Sequence, residues 1–277
     1  MKPRQRDLRV APLHDGVPRG IYLLPNLVTS MGLFCGIFSI VQTMQGAYYN
    51  AALAILVAHI FDGLDGRIAR MTNSTSRFGI EYDSLCDLVS FGVAPGLLIY
   101  KWALVPWGVW GWTAISLYVI CSAIRLARFN ILVGRIDSNY FMGLPVPASA
   151  TMLASVVLMY RYVGRSGLPA KHVTLLLLTW SLALLMVSSI KYPSFKNLKL
   201  HSRQPISRFV VLVLLLSVAV AAYQAFLFAG MSLYVASGPA LWLWSQWHPS
   251  KEAPMAASAE VDGDEGERDE RGHGGIA

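Results

Sequence analysis

Charge is scarce in this chain. Only 14% of its 277 residues are Asp, Glu, Lys or Arg, against 55% hydrophobic residues and a mean hydropathy of +0.47. A soluble domain carries charge on about a quarter of its residues, so this composition excludes an ordinary water-soluble fold. Cysteine is scarce too. Cys35, Cys86 and Cys121 fall inside apolar runs without metal-site spacing, which excludes a disulfide framework and reads as three small buried hydrophobes. No convergent histidine set is present, which with the missing thiol ligands argues against zinc. No internal repeat of fixed period stands out, which weakens an inverted-repeat transporter reading. No cleavable signal peptide is apparent, because residues 1–20 are basic and the first apolar run continues into a span without a small-residue cleavage site.

What the chain has is long apolar runs. A helix needs about 20 residues to cross about 30 Å of hydrocarbon, and lipid leaves helices as the way to satisfy the backbone of such segments. Candidate spans lie near 27–45, 48–71, 80–101, 108–129, 145–161, 172–190, 207–229 and 231–247, and Gly238 and Pro239 interrupt the last. The expected fold is an all-α polytopic transmembrane helix bundle, six core spans plus about two at the C-terminus. A basic segment, residues 1–20, precedes a membrane-embedded catalytic domain over 21–250. Residues 251–277 hold eight acids and three bases without an aromatic, and read as a disordered acidic tail.

Without that tail, 20 Lys and Arg face eight acids. The basic residues flank spans, which suits anionic headgroups and phosphates and argues against nucleic acid as a partner. Lys2, Arg4, Arg6, Arg9 and Arg19 before the first span favour a cytoplasmic N-terminus. Counting crossings then puts segments 130–144 and 191–206 on one side, with Arg135, Lys191, Lys196, Lys199 and Arg203 among them. Arg161, Arg165 and Lys171 lie in an outward loop, against the bias.

Five of the eight remaining acids crowd into residues 62–87. Ionisable groups in a span are costly and mark a function. Asp62 and Asp65 stand i,i+3 near the end of the second span, and Asp83 and Asp87 i,i+4 near the start of the third, so each pair shares a helix face. The short polar link 71–79 makes the two helices antiparallel neighbours and brings four carboxylates to one depth. Two carboxylates about 5 Å apart repel by roughly 3 kcal/mol at an effective dielectric of 20, so the group calls for positive charge between its members. An all-oxygen site suits Mg2+, Mn2+ or Ca2+. His59, one turn before Asp62, reads either as a participant or as a packed residue. Gly63 and Gly66 read either as room for a ligand or as close helix packing. Arg70 reads as a phosphate contact or as an ion-pair partner of Glu81 or Asp83, with Arg67 on the neighbouring turn.

Written out, the segment is Asp62-Gly-Leu-Asp65-Gly66-Arg-Ile-Ala69-Arg70, eight residues, Gly79, three residues, Asp83, three residues, Asp87. It resembles, without departure, the signature DxxDGxxAR(x8)GxxxDxxxD of the CDP-alcohol phosphotransferase family, and the resemblance spans about 21–190. Leu24-Pro-Asn-Leu-Val-Thr29, Ser90-Phe-Gly-Val-Ala-Pro95, Arg125-Leu-Ala-Arg-Phe-Asn130, Gly143-Leu-Pro-Val-Pro-Ala148 and Lys191-Tyr-Pro-Ser-Phe-Lys196 resemble its bacterial serine-accepting branch.

The resemblance implies transfer of the phosphatidyl group of CDP-diacylglycerol to L-serine, giving phosphatidylserine and CMP at the cytoplasmic face of a bacterial inner membrane. It implies Asp62, Asp65, Asp83 and Asp87 as ligands of Mg2+ or Mn2+, one ion or two, with Asp87 also the general base. Gly66 and Arg70 would meet the CDP moiety, with Ser76, Asn26 and Thr29 further candidates there. Asn26 and Thr29 read equally as helix-start residues. For the serine carboxylate Arg125 and Arg128 are offered at i,i+3, their other reading being anchorage at the inner membrane face. Lys191 and Lys196 read chiefly as headgroup contacts. A homodimer is implied. The same chemistry with glycerol 3-phosphate or an inositol phosphate as acceptor, and a cation transporter from another class, are the rival readings.

Overall fold

The computed structural model describes residues 23–72, 76–132, 140–164, 172–193 and 222–247. The basic N-terminal segment, the acidic tail and most of the expected span 207–229 lie outside them. Helices dominate: α1 (Leu23–Met44), α2 (Tyr48–Met71), α3 (Arg77–Asp87), α4 (Ala94–Ile99), α5 (Val109–Leu132), α6 (Val146–Tyr162), α7 (Val173–Val187) and α8 (Tyr223–Trp247). A two-stranded antiparallel ribbon pairs β1 (Tyr140–Met142) with β2 (Lys191–Pro193). It joins the two segments assigned by sequence to one side of the membrane.

Four helices among the described residues are long and apolar enough to cross a membrane: Leu23–Met44, Phe78–Trp107, Val109–Ile131 and Tyr223–Trp244. The others differ for local reasons. α2 carries Asp62, Asp65, Arg67 and Arg70. α6 and α7 have 17 and 15 residues, and α6 is buried along most of its length, where protein replaces lipid as its solvent.

The expected third span continues as one helical path to Trp107. It contains π-helical turns at Leu88–Val93 and Tyr100–Leu104, on either side of α4. Such turns insert a residue into the helix and recur at functional sites; the first follows Asp87 directly. Pro95 gives no N–H to the Phe91 carbonyl four residues earlier. The buried Tyr118 hydroxyl on α5 meets that carbonyl instead, at 3.1 Å, and lies 2.9 Å from Ser149 Oγ on α6. A span that loses a backbone bond in lipid needs such a substitute.

The C-terminal helix departs from expectation. In place of a boundary near 230 and an interruption at Gly238-Pro239, α8 runs unbroken from Tyr223 to Trp247. The reason is a second tyrosine. Pro239 leaves the Val235 carbonyl without its N–H partner, and the fully buried Tyr192 of β2 donates its hydroxyl to it at 3.3 Å.

The core collects Ile55, Phe91, Leu98, Tyr118, Leu153, Leu158 and Leu182 between α2, the α3–α4 path and α5 to α7. α1 seals one side by close approach. A Cβ at Gly36 would lie 2.8 Å from Ser90 Cα, and Ser90 donates to the Gly32 carbonyl at 3.3 Å. Gly143, at φ +75°, lies where a Cβ would collide with the Met186 carbonyl, and its N–H bonds to the Ile190 carbonyl at 2.9 Å. That glycine locks the start of α6 to the end of α7.

Gly36→Ala is expected to destabilise the protein by about 1–3 kcal/mol through overpacking against Ser90. Gly230→Ala, where a Cβ meets nothing within 4 Å, serves as the control. Thermal unfolding in detergent should show a lower Tm for the first and no loss for the second.

Candidate active site

The site forms where the ends of α2 and α3 meet beside α1. One oxygen each from Asp62, Asp83 and Asp87 lies within 4.8 Å of the others. This follows from the local sequence: i,i+3 spacing on α2 and i,i+4 spacing on α3 keep each pair on one face, and Thr72 to Ser76 is too short a link to let the helix ends separate far. Asp65 lines the same cleft but falls outside that three-residue group, and it is more deeply buried at 6% exposure. Thr29 Oγ1 bonds the Pro25 carbonyl at 3.0 Å and interacts with the Asp65 carboxylate.

Of the third wall, sequence reasoning named Thr29 and missed Gly32 and Leu33. Thr29, Gly32 and Leu33 of α1 line the cleft, together with Ala58, Cys86, Ser90 and Phe91. Close small-residue packing at Gly32 and Gly36 was the available signal.

Divalent metal fits the donor set. Three oxygens at this separation can share one cation, and Asp83 Oδ1 is buried without a hydrogen-bond partner. All the donors are hard oxygens.

The other expected residues sort clearly. Gly63 and Gly66 are exposed, and a Cβ at either would meet nothing within 4 Å, so they leave open space and do not pack helices. Arg67 and Arg70 are exposed on the same stretch of α2. Ser76 is the N-cap of α3, its Oγ accepting from Gly79 N–H at 3.0 Å. Asn26 sits inside the first turns of α1, where its carbonyl accepts from Ser30 Oγ at 2.7 Å and its side chain faces Gly79. Tyr82 on α3 in turn reaches Ser30 Oγ at 2.8 Å. His59 Nδ1 is 2.8 Å from Thr151 Oγ1, and its ring meets Phe91 edge-on, which ties α2 to α6.

The stretch from Arg125 to Asn130 divides its polar residues among three jobs. Arg125 is buried, with Nε lacking a hydrogen-bond partner, and interacts electrostatically with Asp87. Arg128 donates to the Val187 carbonyl at 3.4 Å, a cation at the C-terminus of α7. Asn130 binds Ser84 at 3.0 Å and Glu81 at 3.4 Å, holding α3 against α5. Lys196 lies outside the described residues.

A family model described as CDP-alcohol phosphatidyltransferase matches residues 22–188, which include every residue of this cleft. The chain belongs to that family. It is 38% identical over 225 residues to a CDP-diacylglycerol–serine O-phosphatidyltransferase of Helicobacter pylori, covering 81% of this chain and 92% of the relative. The enzyme of that name from Mycobacterium tuberculosis is 36% identical over 159 residues, 54% of this chain and 55% of its own length. An archaetidylserine synthase of Methanothermobacter thermautotrophicus is 37% identical over 172 residues, 61% and 69% respectively.

Removing one carboxylate should weaken cation binding by about tenfold or more, given the size of charge–charge terms at short range. Titration of the purified protein with Mn2+, followed by paramagnetic resonance, is expected to show that loss in Asp83→Asn. Ser84→Ala, which alters only the contacts to Asn130 and to the Ile80 carbonyl, should retain wild-type binding.

Proposed function

We propose that this chain transfers the phosphatidyl group of CDP-diacylglycerol to L-serine, releasing CMP, at the cytoplasmic face of a bacterial inner membrane. The observation that carries the reading is the meeting of Asp62, Asp83 and Asp87 around one point, with Arg125 buried beside Asp87. The names of relatives at 36–38% identity support serine as the acceptor. The basic flanks of the spans support the assigned side.

Asp62, Asp83 and Asp87 would hold Mg2+ or Mn2+, with Asp65 contributing from the same cleft. A bound divalent ion would neutralise charge on the diphosphate oxygens and on departing CMP. The chain's own residues supply the rest. Asp87 accepts the serine hydroxyl proton as that oxygen forms a bond to the phosphatidyl phosphorus and the bond to the CMP oxygen breaks. A hydroxyl is a weak nucleophile at neutral pH, so a carboxylate within reach lowers the barrier. Gly63 and Gly66 leave the α2 surface bare where the donor headgroup would lie, and exposed Arg70 offers its guanidinium to phosphate. Arg125 is the better placed of the two arginines for the serine carboxylate, because Arg128 is engaged at the end of α7.

Release of CMP in detergent should depend on serine, with glycerol 3-phosphate and inositol phosphate inactive. Asp87→Asn should lower turnover by about 10²-fold or more, the usual scale of a positioned base. Strong turnover with either other acceptor, or robust activity of Asp87→Asn, would remove the assignment.

A further inference from the structure

The two helices that carry the aspartates touch again one turn farther into the bundle. His59 precedes Asp62 by three residues on α2, and Phe91 follows Asp87 by four on the α3–α4 path, so each lies on the side of its helix that bears the carboxylate. Their rings meet edge to face with centroids 5.9 Å apart, and Phe91 lines the cleft. This aromatic contact is a spacer between the two helices, one turn from Asp62 and Asp87.

Helix α6 holds both halves of the spacer. Thr151 has a single hydroxyl proton, which goes to the Pro147 carbonyl at 2.8 Å, so its oxygen, 2.8 Å from His59 Nδ1, accepts the imidazole N–H. That bond fixes the rotation of the His59 ring. On the other side, the Phe91 carbonyl takes the Tyr118 hydroxyl at 3.1 Å, and that hydroxyl lies 2.9 Å from Ser149 Oγ. Ser149 and Thr151 are both buried, two residues apart on α6. They index α2 and the π turn after Asp87 to one support.

We propose that His59 is a positioning residue for the metal ligands: with Phe91 it sets how rigidly the carboxylates of Asp62 and Asp87 are held, and so tunes the site toward Mg2+ and away from Ca2+. Mg2+ demands near-ideal octahedral geometry at about 2.1 Å, whereas Ca2+ accepts irregular sets of oxygens at about 2.3–2.6 Å. The separation of two ligands on opposite sides of the cation therefore differs by only about 1 Å or less between the two ions. A small shift of one helix covers that difference. Carboxylates that repel one another spread when their support loosens, so a slack site loses more of its affinity for the smaller ion. This rests on the reading of Asp62, Asp83 and Asp87 as ligands of a divalent ion.

The test uses the full chain in detergent micelles. Paramagnetic resonance follows displacement of bound Mn2+ by Mg2+ and by Ca2+, and the ratio of the two displacement constants is read. His59→Asn keeps an N–H donor but removes the ring, and Thr151→Val keeps the side-chain shape but removes the acceptor. Each should lower the preference for Mg2+ over Ca2+ by about tenfold, the low end of what changes just outside a ligand shell cost in metal affinity. Thr151→Ser, which retains the hydroxyl, should show the wild-type ratio. A preference for Mg2+ that holds or rises in either His59→Asn or Thr151→Val would overturn the proposal, since a general loss of stability weakens both ions alike and leaves the ratio unmoved. So would a Thr151→Ser protein that behaves as Thr151→Val does. Asp83→Asn separates this from the reading beneath it. If Asp83→Asn leaves Mn2+ binding at the wild-type level, the carboxylates are not the ligands and both readings fall. If it weakens binding while the His59 and Thr151 variants keep the wild-type ratio, the metal site stands and the spacer role alone is lost.

Discussion

The repulsion among carboxylates at the ends of α2 and α3 is the constraint that organises this protein. Asp62, Asp83 and Asp87 are drawn to within 4.8 Å by helices that also build the core, so they cannot relax apart without unpacking the bundle. A pair at such distances repels by about 3 kcal/mol at an effective dielectric of 20. The fold thus stores an electrostatic demand for cations. Packing energy from the apolar helices offsets that cost. Chemistry on a charged diphosphate is the use to which the demand is suited.

The arrangement around the carboxylates is asymmetric. α1 closes one side by glycine-mediated contact with the π turn after Asp87, whereas the α2 surface at Gly63 and Gly66 is bare. One flank of the cleft is rigid and the other is open. A lipid-linked donor needs such an opening, because its acyl chains stay in the membrane while its headgroup reaches the aspartates.

Much of this was legible in the amino-acid order. Helical periodicity placed Asp62 with Asp65 and Asp83 with Asp87, and the short polar link put the pairs together. Helices α1 to α7 formed where apolar runs predicted spans, and the two segments that crossing parity assigned to one side pair as β1 and β2. The rest depended on contacts that local pattern does not encode. The bare α2 face could not be told from a packing face until its surroundings were known. Arg125 and Arg128, indistinguishable by type and spacing, separate only because Val187 ends its helix near one of them. On the α1 wall only Thr29 was named, because Gly32 and Leu33 carry no polar group to announce them. Gly238-Pro239 breaks a helix by local rule, and the rule failed because Tyr192, more than 40 residues earlier, supplies the missing donor.

The two proline–tyrosine pairs carry an implication for how the chain assembles as it emerges from the ribosome. Phe91 precedes its donor Tyr118, so its carbonyl gains that hydroxyl only after α5 has been made. Val235 follows its donor Tyr192, so the last helix arrives at a partner already synthesised.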